Sequence, residues 1–521
     1  MASQMIAGED GLTDAHGDAL PVLSKSASMM DYDRLLNTPL PSFKGKTPGS
    51  PFFTWLGMSL LSLVNRAQFR SIETTGVDNI PLDAGTLCTS WHTNGLLDPI
   101  SIMCSHPKRF VIGGRHDLAT RPILGFWARK FALQPVVRKA ELIRGGCSEE
   151  EASTLNGRTL LNLAQGISHG FGCALFPEGT SHSEASMLRL RTGPMRTVLA
   201  SAALAKSENR PMPAIMPVGL HFRVRHHFRT DLWIEYGKPI GINAEELPED
   251  LVDSVSKGVW AEPPFDMVNS LRDEVAIHLR PLTPNAPDWK VYRAWMLAGH
   301  LSALKQGTPL KSWREEVLAA REVRESEIDS NKLEAFSKTA EMLDKRGLDG
   351  RDLHCSRLKL KSFDPVSTLT GSLKLALGII TLPIFLLSLG PQVLLGRILG
   401  DDSDEGLDAR TSFQYVCALF GSMMWWPLIT AILLIVAIFN QTLLVDIFNT
   451  NPFTVLGSEN WHIAIISAVY FILSFPLYWM VGMISVNAWD SWCDLRKFLT
   501  RFSANRDKNL LQALQELESI A

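Results

Sequence analysis

The sequence predicts an α/β fold: a layered domain with a mostly parallel sheet, followed by a helical linker and a C-terminal α-helical membrane region. Two observations support this prediction. Between residues 71 and 290, short apolar runs of strand length alternate with longer stretches of helical periodicity. After residue 366 the composition changes, and three apolar runs are each long enough to cross a bilayer. We therefore expect an integral membrane protein whose soluble part is an α/β domain.

Six apolar runs in this domain are predicted to be strands, and two stretches between them are predicted to be helices. The strands are Thr86–Ser90, Phe110–Ile112, Pro135–Val137, Cys173–Phe176, Ala214–Val218 and Leu232–Tyr236. The helices are Ile123–Phe131 and Leu188–Ala205. Strands that alternate with helices are joined by crossover connections, which place the strands in parallel.

Two segments are predicted to precede the domain. Residues 1–50 are rich in Ser, Pro, Gly and Asp without periodicity, so we expect a disordered tail. Residues 51–70 contain the apolar run Pro51–Val64, which is too short to cross about 30 Å of hydrocarbon. Because Arg66 and Arg70 follow this run, an interfacial membrane helix is predicted, with a buried core helix as an equal alternative.

The C-terminal part is predicted to combine a helical linker, a membrane region and a basic cytoplasmic tail. These are residues 291–365, 366–495 and 496–521, and the apolar runs of the membrane region are 375–395, 413–439 and 463–489. Lys and Arg flank the first run and follow the third, whereas the loop Gln441–His462 has none. Cytoplasmic flanks are enriched in these residues, so the pattern requires an even number of crossings. The last two runs are therefore predicted to be full spans, and 375–395, interrupted by Gly and Pro, is predicted to be re-entrant or interfacial.

Composition and charge exclude several classes of protein. The formal charge of −3 argues against a strongly basic nucleic-acid binder, so no nucleic-acid partner is predicted. The seven cysteines are odd in number and never spaced as Cys-x-x-Cys, which argues against a disulfide framework and a zinc site. No three of His92, Asp98, Glu178 and His182 share a familiar metal-ligand spacing, so no metal is predicted.

The segment Trp91–Pro99 carries the first pair of chemically informative residues. A strand-like run ends at Ser90 and Pro99 suits an early helical position, so His92 and Asp98 are predicted to lie on the connecting turn. A hydroxyl is a poor nucleophile at neutral pH and needs a base within hydrogen-bond reach. Histidine is the usual base, and a carboxylate on its other ring nitrogen fixes the tautomer and supports the imidazolium. His92 and Asp98 are therefore candidate catalytic residues, although a His near an Asp is also common on protein surfaces.

The segment Phe176–His182, continued by Arg189, Arg191 and Gly193, has the pattern of an anion site. An apolar strand ends in Pro-Glu-Gly and leads through hydroxyl and basic residues into a predicted helix. Backbone N–H groups at a helix start and nearby guanidinium groups both favour a phosphate. A β–α turn with solvated arginines is the alternative interpretation.

Together these segments resemble the glycerol-phosphate acyltransferase superfamily, whose four ordered motifs can be placed in the chain. They are His92–Asp98; the set Arg115, Leu118, Pro122, Gly125 and Arg138; Phe176–Gly193; and Met216–Leu220 with its basic extension His221–Arg229. The first motif has five residues between His and Asp, where the common form has four. This longer form, Asn94, the pair Ser181–His182 and the segment Thr283–Trp289 resemble the fungal-type glycerol-3-phosphate/dihydroxyacetone-phosphate acyltransferases.

The resemblance implies an acyltransferase domain over residues 71–290 and assigns roles by motif. His92 would be the general base and Asp98 its orienting partner. The acceptor-phosphate site would be formed by Arg115, Arg138, Glu178, Gly179, Thr180, Ser181 and Arg191. Val218 and Gly219 would line the acyl or donor side.

The implied function is transfer of a fatty acyl group from acyl-CoA to the sn-1 hydroxyl of glycerol-3-phosphate, forming lysophosphatidic acid in glycerolipid synthesis. Long-chain acyl-CoA would be a co-substrate, and no cofactor is expected. Two alternatives remain: dihydroxyacetone phosphate or a lysophospholipid as the acceptor, or a catalytically silent membrane lipid-binding scaffold. The resemblance also implies the endoplasmic reticulum, with the domain facing the cytosol. No feature predicts an oligomeric state.

Overall fold

The computed structural model describes residues 30–137, 147–326, 328–354, 359–361, 364–402, 407–457 and 459–520. Its centre is an α/β domain with a six-stranded mixed sheet and, beside it, a two-stranded parallel ribbon. The strands in these ranges are β1 Phe69–Thr75, β2 Thr86–Ser90, β3 Gly113–Arg115, β4 Gln134–Val136, β5 Gly172–Leu175, β6 Ala214–Phe222, β7 Thr230–Tyr236 and β8 Ile240–Gly241. The sheet has the order β1–β7–β6–β2–β5, with β8 beside the start of β6, and β3 and β4 form the ribbon.

Most neighbouring strands of the sheet are parallel, which confirms the predicted fold class. β2 is parallel to β5 on one side and to β6 on the other, and β1 is parallel to β7. β6 is antiparallel to β7, to which a short loop connects it, and to β8. Because β2 and β5 are parallel, their carboxyl ends at Ser90 and Leu175 meet at one edge of the sheet. This is the edge at which open α/β sheets bind ligands.

Helices cover both faces of the sheet and continue beyond it. Those of the α/β domain are α1 Tyr32–Leu36, α2 Pro51–Gln68, α3 Leu97–Ser105, α4 His116–Thr120, α5 Pro122–Lys130, α6 Glu149–Ser168, α7 Gly193–Ser207, α8 Glu249–Ser256 and α9 Phe265–Leu279. The later ones are α10 Trp289–Lys305, α11 Trp313–Glu325, α12 Ser330–Asp344, α13 Pro365–Ser388, α14 Gly390–Asp401, α15 Leu407–Phe439, α16 Gln441–Phe448, α17 Asn460–Ala504 and α18 Lys508–Ile520.

Two apolar cores lie on opposite faces of the sheet, because successive side chains of a strand point to opposite faces. In β2, Leu87 packs into the core that α6, α7, α8 and α9 complete, whereas Cys88 packs into the core that α2 and α3 complete. Both side chains are fully buried. Tyr415 of α15 is also fully buried, in the second core. We call these two sides the α6–α9 face and the α2/α3 face; the second contacts the C-terminal region.

The predicted strands and helices agree with the structure except at three places. Phe110–Ile112 is predicted to be a strand, but Phe110 makes only a single bridge to Gly172, and the nearest strand, β3, begins at Gly113. β1 is not among the predicted strands, because most of its side chains are polar and it lies exposed at the edge of the sheet.

The third difference is the start of the predicted helix Leu188–Ala205, which begins only at Gly193 as α7. The N–H of Leu188 donates to Oε1 of Glu178 at 2.7 Å, and the N–H of Arg191 donates to the carbonyl of Pro177 at 2.5 Å. These hydrogen bonds to Pro177 and Glu178 replace the hydrogen bonds of a helix. The periodicity of the sequence does not reveal them.

The N-terminal residues 30–50 are packed on the domain, which corrects the predicted disordered tail over this stretch. Leu35 in α1 is fully buried. The guanidinium of Arg158 on α6 donates to the carbonyls of Leu36, at 2.6 Å, and Thr38, at 2.9 Å. The composition of the segment gives no indication of this distant arginine. Residues 1–29 lie outside the described ranges.

Helix α2 buries one side against the domain and exposes apolar side chains on the other. The buried residues are Thr54, Gly57, Leu61, Asn65 and Gln68. Phe52 and Trp55 are 60% and 61% exposed. An exposed apolar side favours a helix that lies in the membrane interface over an ordinary core helix. Its contact with a membrane stays a prediction.

The linker helices α10, α11 and α12 pack together and also hold the C-terminal helix α18. The shared core includes Ala294, Leu297, Phe336, Leu343, Leu510, Leu514 and Leu517. Trp313 of α11 donates its indole N–H to the carbonyl of His221 in β6 at 2.7 Å. The linker and the C-terminus therefore lie on the same side of the molecule as the α/β domain.

Within the described residues, three helices are long and apolar enough to cross a membrane: Pro365–Ser388, Ala409–Phe439 and Asn460–Ala504. Large apolar side chains point outward along them, including Ile380, Leu428 and Ile472 at 72%, 52% and 66% exposure. Leaving apolar surface in water costs about 25 cal/mol per Å². This region therefore belongs in a bilayer, and the chain is a membrane protein.

Helices α13 and α14 form a hairpin that packs on α15 and α17. At the end of α13, the indole N–H of Trp425 in α15 donates to the carbonyl of Leu387 at 2.7 Å. The chain turns at Leu389, and α14 returns along α15 until Arg410 pairs with Asp401 at 2.8 Å. A helical hairpin is the geometry expected of a re-entrant segment, and the number of full spans stays a prediction.

Candidate active site

The predicted catalytic pair lies in the loop that follows β2, at the carboxyl edge of the sheet. Nδ1 of His92 is 2.8 Å from Oδ2 of Asp98, which stands in the first turn of α3. The same oxygen accepts the backbone N–H groups of Thr93 and Asn94, each at 2.8 Å. Asp98 is fully buried. Three donors therefore fix the carboxylate, and the loop closes around it.

This geometry selects one tautomer of His92, and within the described residues its other ring nitrogen has no hydrogen-bond partner. A carboxylate only accepts hydrogen bonds, so Nδ1 carries the proton and Nε2 keeps a lone pair. The side chain of His92 is 18% exposed, and its ring stacks on Phe176 with a centroid distance of 4.2 Å. Phe176 follows β5 directly, so the third motif supports one face of the ring. The arrangement holds a base in place with Nε2 available to a substrate.

Glu178 connects the first and third motifs through the backbone. Its Oε2 accepts the N–H of His92 at 2.6 Å, and its Oε1 accepts the N–H of Leu188 at 2.7 Å. Nε2 of His182 lies 3.0 Å from Oε2, and the N–H of His182 donates to the carbonyl of His92 at 2.9 Å. Both carboxylate oxygens of Glu178 are thus engaged inside the protein. The structure gives Glu178 a positioning role, and its predicted contact with the acceptor stays a prediction.

Gly179, Thr180 and Ser181 form the turn next to this network. Gly179 has φ +75°, a left-handed conformation that L side chains rarely adopt, and it is exposed. A Cβ built on Gly179 would lie 3.5 Å from Cγ of Arg191, so that side chain runs beside the turn. Thr180, Ser181 and Arg191 are partly exposed. An anion placed here would meet hydroxyl groups and a guanidinium close to His92.

Comparison with known proteins agrees with this geometry. Residues 71–220 match the family model described as Acyltransferase. The span includes the paired His92 and Asp98 and the turn at Gly179. Residues 71–220 are an acyltransferase domain.

Two curated relatives and one solved structure resemble parts of the chain. Glycerol-3-phosphate O-acyltransferase 2 of Saccharomyces cerevisiae is 29% identical over 150 residues, which is 29% of this chain and 18% of that protein. Glycerol-3-phosphate O-acyltransferase 1 of the same yeast is 26% identical over 164 residues, or 31% and 20%. The matches thus span about a fifth of these relatives. The solved 1-acyl-sn-glycerophosphate acyltransferase PlsC of Thermotoga maritima is 15% identical, covers 42% of this chain and 81% of that one, and has a TM-score of 0.28.

The second motif of the acyltransferase domain begins at the end of β3 with Arg115 and continues through α4 and α5, which carry Leu118, Pro122 and Gly125. The guanidinium of Arg115 donates to both carboxylate oxygens of Asp117, at 3.0 and 3.1 Å. Asp117 is fully buried and also binds Arg121 at 2.8 Å. The guanidinium of Arg115 is therefore already in an ion pair, and a phosphate that binds Arg115 would have to share this guanidinium with Asp117. Arg138 lies outside the described residues.

The two residues predicted for the donor side lie inside the acyltransferase domain. Val218 is fully buried in the core of the α2/α3 face. Gly219 leaves no room for a side chain, because a Cβ there would come within 2.7 Å of the carbonyl of Leu282. Both residues pack inside the protein as part of β6. Their predicted role in lining the acyl or donor side stays a prediction.

The basic extension of the fourth motif is engaged in internal contacts. Its pairs are Arg223–Asp231 at 2.8 Å, Arg223–Glu316 at 2.5 Å, Arg225 to the carbonyl of His182 at 2.7 Å, and Arg229–Asp490 at 2.6 Å. Burial, with smaller effects of His227 and neighbouring arginines, lowers the pKa of His226 to about 4. This side chain is therefore neutral at pH 7. These arginines hold elements of the fold together.

Sequence reasoning missed two residues that contact the catalytic loop. The hydroxyl of Thr411 donates to Oδ1 of Asn94 at 2.7 Å, and the N–H of Leu96 donates to Oγ of Ser412 at 2.9 Å. Both hydroxyl residues stand near the start of α15, more than 300 residues along the chain. No local pattern marks them, although Asn94 itself belongs to the first motif.

Proposed function

We propose that this chain is a glycerol-3-phosphate 1-O-acyltransferase, which transfers a fatty acyl group from acyl-CoA to the sn-1 hydroxyl and forms lysophosphatidic acid. The single observation that supports this most is the His92–Asp98 pair, in which Nδ1 of His92 lies 2.8 Å from Oδ2 of the fully buried Asp98. The imidazole stacks on Phe176, which connects the pair to the third motif. The names of the two yeast relatives support glycerol-3-phosphate as the acceptor.

The proposed reaction uses His92 first as a base and then as an acid. Nε2 takes the proton of the sn-1 hydroxyl as its oxygen attacks the thioester carbonyl, and a tetrahedral intermediate forms. Asp98 stabilises the resulting imidazolium through Nδ1. The intermediate expels the thiolate of coenzyme A, which takes the proton from Nε2. All bonds and protons then balance, and no cofactor is required beyond the acyl-CoA co-substrate.

The acceptor phosphate is proposed to bind at the turn of Gly179, Thr180 and Ser181, beside Arg191. This is the side of the network on which hydroxyl groups and a guanidinium are partly exposed. A phosphate gains most from guanidinium groups and N–H donors. The phosphate would thereby hold the acceptor while its hydroxyl reaches Nε2 of His92.

The location proposed is the endoplasmic reticulum membrane, with the acyltransferase domain in the cytosol. The apolar helices α13, α15 and α17 and the exposed apolar side of α2 support a bilayer next to the α2/α3 face. A long acyl chain would then leave and enter through the lipid phase. Localisation of the tagged chain by fractionation tests the organelle.

The function is tested with the full chain purified in detergent. The protein is given radiolabelled glycerol-3-phosphate and palmitoyl-CoA, with dihydroxyacetone phosphate and a lysophospholipid as competing acceptors. We expect label in lysophosphatidate, and we expect His92→Ala to lower kcat about 10²–10⁴-fold. His278→Ala is the control, because that imidazole is exposed on α9 and, within the described residues, contacts only the carbonyl of Glu274 in its own helix. Preferred acylation of a competing acceptor, or full activity of His92→Ala, contradicts the proposal.

A further inference from the structure

A cleft of about 570 Å³ lies next to the proposed acceptor site, on the α6–α9 face. One wall is the segment 186–190, and the other is formed by α9 and the residues after it. We propose that this cleft binds the phosphates of the donor's nucleotide, the 3′-phospho-ADP part of coenzyme A. This inference rests on the proposed function, which makes acyl-CoA the donor.

The charge of the cleft fits a polyanion. Its lining contains Arg189, Arg272 and Arg280 against the single carboxylate of Asp273, three positive charges and one negative, for a net of +2. Arg272 donates to Asp273 at 2.7 and 2.9 Å. Within the described part of the chain, the side chains of Arg189 and Arg280 have no hydrogen bond or ion pair and are exposed. Two guanidinium groups are thus ready to meet phosphate oxygens.

Other arginines near the motifs are engaged by carboxylates. Arg115 pairs with Asp117, and Arg223 pairs with Glu316 at 2.5 Å. A guanidinium that already makes two hydrogen bonds to a carboxylate contributes less binding free energy to a phosphate, because those hydrogen bonds must be shared or broken. Among the described residues, Arg189 and Arg280 in the cleft differ from Arg115 and Arg223 in having no carboxylate partner.

The cleft is connected to the catalytic loop through a short path. Leu188, in its wall, donates its N–H to Glu178, and Glu178 accepts the N–H of His92. The opposite wall is fixed to the same segment, since the N–H of Ala286 donates to the carbonyl of Ala185 at 3.2 Å. Hydrogen bonds through Glu178 therefore link the wall of the cleft to the loop that carries His92.

An acyl-CoA molecule has a charged head and an apolar tail, and the two sides of the domain match these ends. The arginine cleft lies on the α6–α9 face, whereas the α2/α3 face packs against Tyr415 of the membrane helix α15. His92 follows β2, the strand that contributes side chains to both faces. A donor can thus place its phosphates in the cleft, its thioester at His92 and its chain toward the bilayer.

The test compares two donors, palmitoyl-CoA and palmitoyl-pantetheine, which lacks the nucleotide. We expect Arg280→Gln to raise KM for palmitoyl-CoA about tenfold or more, the usual effect of losing a charged hydrogen bond. KM for palmitoyl-pantetheine and for glycerol-3-phosphate should stay within about twofold of wild type. Arg196→Gln is the matched control, because Arg196 is an exposed arginine on α7 that pairs with Glu262. It should change none of these values.

Calorimetric binding of adenosine 3′,5′-bisphosphate to the same variants separates this proposal from the proposed function. Binding that Arg280→Gln weakens and Arg196→Gln does not supports the cleft even in a chain without acyl transfer. An unchanged KM for palmitoyl-CoA together with unchanged bisphosphate binding overturns it. A rise in KM for glycerol-3-phosphate alone also overturns it and assigns the cleft to the acceptor.

A second inference rests on a different observation, the contact between α15 and the catalytic loop. We infer that Thr411 is a positioning residue, which holds Asn94 and through it the loop around Asp98. Thr411 and Asn94 are both fully buried. The hydroxyl of Thr411 donates to Asn94 Oδ1, the amide of Asn94 donates to the carbonyl of Arg225 at 2.9 Å, and the N–H of Asn94 donates to Asp98.

Removing the hydroxyl would leave an acceptor of Asn94 buried without its donor. A buried acceptor without a donor destabilises the folded protein by more free energy than the hydrogen bond contributed. The loop would therefore move until water or another donor reaches the acceptor. The movement would take one of the three donors away from Asp98 and loosen the hold on His92. A base displaced by a fraction of an ångström transfers a proton less effectively.

The test is the pair Thr411→Val and Thr411→Ser in the full chain. We expect Thr411→Val to lower kcat about tenfold with KM for both substrates within about twofold, and to shift the acidic limb of the kcat–pH profile. Thr411→Ser keeps the hydroxyl and should restore both. A purely structural role predicts less folded protein and a lower thermal midpoint with kcat and pH profile unchanged. That outcome, or equal loss in both variants, contradicts the inference.

Discussion

A single carboxylate oxygen of Asp98, Oδ2, accepts three hydrogen bonds. The donors are Nδ1 of His92 and the backbone N–H groups of Thr93 and Asn94. The other oxygen of Asp98, Oδ1, is buried and has no hydrogen-bond partner within the described residues. Oδ2 thus holds both the loop and the imidazole through hydrogen bonds. The negative charge of the carboxylate has a separate role, which is to stabilise an imidazolium. Geometry and charge can therefore be separated by a substitution at this residue.

Asp98→Asn should keep the loop closed and remove the charge. The amide oxygen can accept the N–H groups of Thr93 and Asn94, while its NH₂ takes the place of Oδ1. Without the negative charge, protonation of His92 in the transition state is disfavoured, and we expect kcat to fall about 10²–10⁴-fold. The measurement is palmitoyl transfer together with the thermal midpoint of the variant. A fall in kcat that only parallels loss of folded protein would argue for a structural role.

His106, at the end of α3, gives the fold a dependence on acid. Its Nδ1 accepts the N–H of Lys108 at 3.1 Å, so the folded protein holds the ring neutral, and its Nε2 lies 3.1 Å from Thr86 Oγ1. Burial lowers the pKa of His106 to about 4. The unfolded chain takes up a proton near pH 6.5, before the folded one does, so stability is complete above that pH and falls as the pH drops toward 4.

At pH 5 this residue should cost about 2 kcal/mol of stability relative to pH 7, since about 1.5 pH units separate pH 5 from the unfolded pKa. His106→Asn does not titrate, and its amide oxygen can still accept the N–H of Lys108. We expect the thermal midpoint of wild type to fall more between pH 7 and pH 5 than that of the variant. Equal falls would show that other groups govern the acid response.

At the scale of elements, the C-terminal half of α17 is attached to the α/β domain by charged pairs. Arg229 in the β6–β7 loop is nearly buried and pairs with Asp490 at 2.6 Å. It also donates to the carbonyls of Arg66 and Ala67 at the end of α2. This one guanidinium therefore joins the β6–β7 loop of the sheet to α2 and α17.

Asp490→Asn should destabilise the protein clearly, because it leaves the nearly buried guanidinium of Arg229 without its counter-charge. Breaking a buried pair by removing one partner costs about 3 kcal/mol or more. Asp494→Asn, one turn later, is the matched control. Its pair with Arg70 has side chains that are 44% and 56% exposed, and exposed pairs contribute at most about 1 kcal/mol. Thermal midpoints in detergent test the difference, and equal effects of both substitutions would contradict it.

An element can be predicted from the sequence when the contacts that form it involve residues close to it in the chain. β2 is fully buried and β7 nearly so, and the apolar run Leu232–Ile234 in β7 and the apolar pair Leu87 and Cys88 in β2 indicate their positions. His92 and Asp98 are six positions apart, so their pairing can be expected from the motif. The late start of α7 cannot be predicted, because Leu188 bonds to Glu178 instead of to its own helix. Contacts of this kind depend on the folded chain and leave no periodicity.

At the scale of the whole molecule, the contacts favour two full crossings. The start of α15 contacts the catalytic loop through Thr411, and the end of α17 contacts the linker through Arg501, which pairs with Asp352 at 2.7 Å. Both ends therefore face the acyltransferase domain. The hairpin of α13 and α14 begins and ends on that same side, since Asp401 pairs with Arg410 near the start of α15. A single full crossing by α13 would separate Asp401 from Arg410, and for this reason two crossings are predicted.

This topology predicts where an inserted glycosylation acceptor is modified in microsomes. An acceptor placed in a flexible insert after Asn449, between α16 and α17, should be glycosylated. The same insert after Asp401, between α14 and α15, should not be, because that point lies on the side of the acyltransferase domain. Modification after Asp401 and none after Asn449 would mean that α13 crosses completely. Insertion into the α11–α12 connection controls for the cytosolic side.

His92 stands at the edge of a sheet whose two covered sides differ. The arginine cleft lies on the α6–α9 side and the membrane helix α15 on the other, which bears on how the proposed products would leave. In the proposed chemistry the acyl group of an amphiphilic thioester passes to glycerol-3-phosphate, which yields a hydrophilic thiol and a lipid. The proposal predicts that the thiol leaves into the aqueous phase from the arginine cleft and that the lipid enters the leaflet near α2, whose apolar side is exposed. Partition between two solvents thus separates the products without any opening of the protein. Turnover should then respond to the fluidity and lipid packing of the surrounding leaflet.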